Sequence, residues 1–104
     1  MRLLYDFKGL AIRLTDERRD HILEHPEMAG MIGEVGTILR EPTRVVASRS
    51  DPAVRLYYRL YQGTPVGEKY LCVVVVDRGS NAFVLTAYLT DRIKRGEVLW
   101  PGSE

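Results

Sequence analysis

Between Val54 and Tyr61 the residues alternate so that Arg55, Tyr57, Arg59 and Tyr61 share one side of an extended strand and Val54, Leu56, Tyr58 and Leu60 the other. Guanidinium forks donate to phosphate oxygens and tyrosine rings stack on bases, so the first set suits an unpaired RNA strand. A solvated outer sheet face carries the same residue types, because both cover apolar surface well. If the next hairpin pairs Tyr61 with Glu68 and the one after it turns about Gly79, the face gathers rows Arg59–Tyr70–Tyr88 and Tyr57–Cys72–Thr86, flanked by Arg55. The two histidines, His21 and His25, stand four apart, a spacing that puts both imidazoles on one side of a helix where they can share a metal. The H-E-x-x-H order is absent and no further histidine or spare cysteine supplies a third ligand, so neither a metal nor a cofactor is expected. His25 precedes Pro26 and is expected to help cap a second helix. His21 is either an exposed helical histidine or the side chain readiest to move a proton near neutrality. Phosphate loops, hydrolase elbows and dinucleotide fingerprints are missing.

These residues need elements to hold them. Residues 10–14 read as a short strand or extended lead-in after Gly9, and Thr15 caps a helix over 15–24 with Asp16 and Glu17 in its first turn. Pro26 stops that helix and starts another, near 27–40, whose apolar face is Met28, Met31, Ile32, Val35, Ile38 and Leu39. After Pro42 the hydrophobic period falls to two, which predicts strands near 43–49, 54–61, 68–76 and 82–90, with 62–67 as a loop. Residues 91–96 read as a turn or short helical piece, and Val98, Leu99 and Trp100 return apolar surface to the core. The order predicts an α+β fold: two N-terminal helices packed on one face of a four-stranded antiparallel meander sheet, the other face free for function.

Composition narrows the classes. One domain over residues 1–104 accounts for the length, and 45% hydrophobic with 28% charged residues is ordinary for a globular chain. Cys72 is the single cysteine, which excludes an internal disulfide framework. The apolar opening Met1–Leu4 is cut short by Asp6 and Lys8 before a secretory core forms, and no run approaches membrane-span length, so a cytoplasmic protein without a membrane partner is expected. A net charge of +1 argues against bulk coating of nucleic acid. The charge is uneven, however: residues 43–76 hold five cations against two acids, and 12 of the 15 cations are arginine.

Three stretches carry a resemblance: Ile12-Arg13-Leu14-Thr15-x-Glu17-Arg18 with His21-Ile22-Leu23 and His25-Pro26-Glu27; Tyr57-Tyr58-Arg59 with the valine strand; and Thr86-Ala87-Tyr88-Leu89-Thr90-Asp91-Arg92-Ile93-Lys94-x-Gly96-Glu97. Over about residues 9–100 the chain resembles a small bacterial and phage-associated family within the barnase, EndoU, colicin nuclease and RelE-like superfamily, whose members are mostly predicted metal-independent RNases and toxin-like domains. The resemblance implies a toxin-like endoribonuclease that cleaves RNA through attack of the ribose 2′-hydroxyl, in a toxin–antitoxin setting where an antitoxin or immunity-type protein is a further partner. It implies His21 for proton transfer, Arg59 with Arg55 or Arg49 on the phosphate, Thr86 and Tyr88 as orienting hydrogen-bonding groups, and Tyr57 as a base-stacking ring. The alternative within the same superfamily is a non-catalytic module that binds RNA or protein with the same face.

Overall fold

The structure is a computed structural model and describes residues 1–101. The period-two half of the chain builds its centre. β4 (Val54–Thr64), β5 (Gly67–Asp77) and β6 (Ala82–Thr90) form an antiparallel meander, and β3 (Arg44–Ala47) pairs with β4. Three further strands extend it. β1 (Arg2–Tyr5) and β2 (Ala11–Leu14) form a hairpin that lies parallel to β6 through β2, and β7 (Glu97–Trp100) adds to the outer side of β3. The result is a seven-stranded mixed sheet in the order β1-β2-β6-β5-β4-β3-β7. This corrects the expected four-stranded antiparallel meander. The helices do not open the chain either, since β1 and β2 precede them. The expected strand or lead-in over 10–14 is β2 and the strand near 43–49 is β3, so the strands the sequence reading lacked are β1 and β7, four-residue edge strands whose apolar residues are largely exposed and leave no buried face to mark them.

The Thr15 hydroxyl accepts from the Arg18 amide at 3.1 Å and starts α1 (Asp16–Leu23). The second helix is broken. Pro26–Met28 forms one 3-10 turn, further turns follow, and only Glu34–Arg40 is α2, because Gly30 and Gly33 weaken helix where the longer element was expected. His25 holds the position before the 3-10 turn without a side-chain capping bond. The three-and-four spacing still marked the buried side: Met28, Met31, Val35, Ile38 and Leu39 all enter one core with Ile12, Leu14, Ile22, Val45, Tyr57, Leu71, Val73 and Val75.

That core lies between the helices and one sheet face. A second, smaller core of Val46, Leu56, Tyr58, Cys72 and Val74 lies on the opposite face. Its cover is the segment 91–96, which leaves β6, crosses β5, β4 and β3, and feeds β7. Ile93 packs into this core and the Lys94 amide donates to the Tyr58 hydroxyl at 3.0 Å. Lys69 on β5 pairs with Asp91 at the start of the crossing. Gly96 ends it where only glycine fits, because a Cβ there would overlap the Ala47 carbonyl oxygen and stand 2.6 Å from Val46 Cγ1. Among the described residues no helix is long and apolar enough to cross a membrane.

Candidate anion-binding cleft

Strand register decides which side chains meet. β4 and β5 pair Tyr61 with Lys69, one residue away from the expected Glu68, because the turn closes between Thr64 and Gly67 and an irregularity at Gln62 and Gly63 shifts the ladder. The rows are therefore Tyr88–Cys72–Tyr58–Arg44 and Thr86–Val74–Leu56–Val46–Val98 on the face under the crossing segment. Arg59–Leu71–Leu89 and Tyr57–Val73–Ala87 lie on the helix side.

This register divides the residues singled out in the sequence. Tyr57 is fully buried beneath the helices, and its hydroxyl donates to Asp6 Oδ2 at 2.7 Å. That carboxylate also accepts from the amides of Lys8 and Leu10, so it ties the β1–β2 turn to the core. Burial first, then the Asp6 carboxylate, pushes the Tyr57 phenol well above its ordinary value. A buried ring in this position offers no base a stacking surface. Arg55 is paired with Asp77 at 3.3 Å. Arg59 donates to the Glu41 carbonyl at 2.6 Å and lies 3.7 Å from its carboxylate, which secures the end of α2. Tyr61 donates to Glu34 on the same helix at 2.8 Å. The Arg55–Tyr61 alternation thus serves the helix layer: amphipathic rings fill the core and reach acids at its rim.

His21 also belongs to the helix side. Its Nδ1 is 3.7 Å from Glu24 and its ring 6.5 Å from that of His25. Thr86 and Tyr88 lie on the other face. Tyr88 pairs with Cys72, whose thiol sits between the Tyr58 and Tyr88 hydroxyls. Burial pushes the thiol up to about 11 and the Tyr58 phenol up to about 12. The sheet separates His21 and Arg59 from Thr86 and Tyr88, so the structure does not bring these four side chains together.

Arg49 has different company. Arg44 and Val46 of β3, Arg49 beyond its end, Ile93, Lys94, Arg95 and Gly96 of the crossing segment, and Val98 of β7 line a cleft of about 260 Å³. Four cations surround an apolar floor of Val46, Ile93 and Val98, and among the described residues no carboxylate lines it. Among the described residues none of the four is in an ion pair, whereas Arg18, Arg19, Arg55, Arg59, Lys69 and Arg78 each have a carboxylate within 4 Å. Glu97, next to the cleft in sequence, pairs with Ala47 on the opposite side of its strand from Val98. Like charges gathered without counter-charge repel, and an anion is the partner that relieves this. Sequence reasoning reached Arg49 and missed Arg44, Lys94 and Arg95. The available signals were the basic middle third and the run Arg92-Ile93-Lys94-Arg95 ending at a glycine.

Comparison with protein-family models, curated proteins and solved structures found no match for this chain. The likeness to the nuclease superfamily therefore rests on the residues quoted for it alone.

Proposed function

We propose that this chain is a non-catalytic RNA-binding module whose phosphate site is the cleft between β3 and the crossing segment. The observation that carries this reading is the set Arg44, Arg49, Lys94 and Arg95, exposed, converging and, among the described residues, outside any ion pair, in a molecule that neutralises many of its other cations. Three of the four are arginines, whose planar forks match phosphate oxygens in pairs. Half-buried Tyr70 and Tyr88 share that sheet face and offer ring edges and hydroxyls to a strand leaving the cleft. An RNA partner is compatible with a reducing compartment, which a chain with a lone cysteine allows.

The catalytic alternative needs a proton-transfer group within about 3 Å of the reacting atoms. His21 is across the sheet from Thr86 and Tyr88, and Arg59 is engaged by Glu41, which favours binding over cleavage. Fluorescence anisotropy with a labelled single-stranded RNA in chelator tests both readings. Binding should weaken with salt, with a slope of about 0.7 per phosphate contact, and Lys94→Ala and Arg44→Ala should each lower that slope by about one contact. Cleavage of the RNA by the parent, lost in His21→Ala and Arg59→Ala, would instead establish the endoribonuclease.

A further inference from the structure

We infer that the cleft reads the terminal phosphomonoester of an RNA strand in preference to its internal phosphodiesters, an inference that rests on the RNA-binding reading above. The argument is one of charge density. An internal phosphodiester carries one negative charge, whereas a terminal monoester carries close to two at neutral pH and presents three acceptor oxygens. Four cations around a single cleft of about 260 Å³ exceed what one diester requires and suit a group with more charge and more acceptors.

The rest of that face does not continue the positive charge as a backbone track would. Outward from the cleft the rows carry Tyr58, Cys72, Leu56 and Val74, buried beneath the crossing segment, then half-buried Thr86 and Tyr88, none of them charged, and past Lys94 the crossing segment itself adds one exposed cation, Arg92. Arg13 is held by Asn81, Lys69 by Asp91 and Arg78 by Asp51. Proteins that follow a single strand spread their cations along a groove, and here they are concentrated. The size agrees, because pockets that enclose a whole small ligand run to roughly 300–1,000 Å³. This cleft takes the phosphate and part of one nucleoside, whose apolar edge rests on Val46, Ile93 and Val98.

The test uses the full chain and one single-stranded RNA sequence in three forms: 5′-hydroxyl, 5′-phosphate and 3′-phosphate, compared by anisotropy at a single salt concentration. At least one phosphorylated form should bind ten-fold or more tightly than the 5′-hydroxyl form, and the two phosphorylated forms identify which end is read. Arg44→Ala and Lys94→Ala should remove that preference, with circular dichroism confirming the fold, while Arg19→Ala, on the helix across the sheet from the cleft, should keep it. Millimolar inorganic phosphate should compete with the phosphorylated RNA more than with the hydroxyl form. Equal binding of all three RNAs overturns the inference and leaves the RNA-binding reading standing. No binding of any of them overturns both. A phosphoserine peptide bound as tightly as the best RNA overturns the assignment to RNA ends.

Discussion

Gly96→Ala tests the contact on which the cleft depends. The added Cβ would overlap the Ala47 carbonyl oxygen and meet Val46 Cγ1 at 2.6 Å, and the first of these is backbone in a strand paired on both sides. A rotamer change cannot relieve it. Forcing a methyl into such a site costs about 1–3 kcal/mol, and the rigidity of the neighbour puts this case in the upper half of that range. The other outcome is that β7 peels away, losing its pairings with Val45, Val46 and Ala47, at about 0.5–1.5 kcal/mol for each hydrogen bond. Three such pairings come to about 1.5–4.5 kcal/mol, and since the chain takes the cheaper route the loss is about 1.5–3 kcal/mol, which for a domain of this size lowers Tm on the order of 10–20 °C. Thermal and urea unfolding read it directly. Gly33→Ala is the control: at φ −67° with nothing within 4 Å of the added Cβ, it should stay within about 1 kcal/mol of the parent. A Gly96→Ala chain as stable as the parent would refute the close approach of the crossing segment to β3.

The buried thiol predicts an alkaline weakness. Because its folded value lies near 11 and its ordinary value near 9, the unfolded chain releases the proton first; the stabilisation is complete below about pH 9 and is lost as pH rises toward 11, at up to about 1.4 kcal/mol per pH unit. Urea midpoints of parent and Cys72→Ala between pH 9 and 10 check this, and an equally steep decline in the variant would count against it. Asp6→Ala should cost about 2–4 kcal/mol, more than Tyr57→Phe, since it strands a buried phenol and two backbone amides, whereas the second change strands none of these. Equal losses in the two unfolding curves would remove the Asp6 carboxylate from its role.

The meander was legible because β4 alternates strictly over Val54–Tyr61, β5 carries a β-branched apolar run of four valines and turn residues separate the strands, and α1 because Thr15 and two acids mark its start. The faces were not legible. One irregularity at Gln62 and Gly63 moves every β4 side chain relative to β5, and no local pattern announces a bulge. Tyr57 and Tyr61 misled for a related reason, since a tyrosine that buries its ring and bonds an acid at the rim has the same sequence signature as one that waits for a base. Arg44 and Arg49 are separated from Lys94 and Arg95 by the whole meander. The cleft is a product of topology, visible only once β7 is known to lie against β3.

The placement of β7 also bears on the order in which the chain assembles. The hairpins β4–β5 and β5–β6 join neighbours in sequence through short turns, so their closure entropy is small and they can form early. β7 can dock only after β3 has paired with β4 and after residues 91–96 have spanned three strands. The cleft is therefore complete only after the rate-limiting barrier, if that barrier is set by the meander. An anion held by Arg44, Arg49, Lys94 and Arg95 acts on contacts absent at that barrier, so it slows unfolding and leaves the folding rate unchanged.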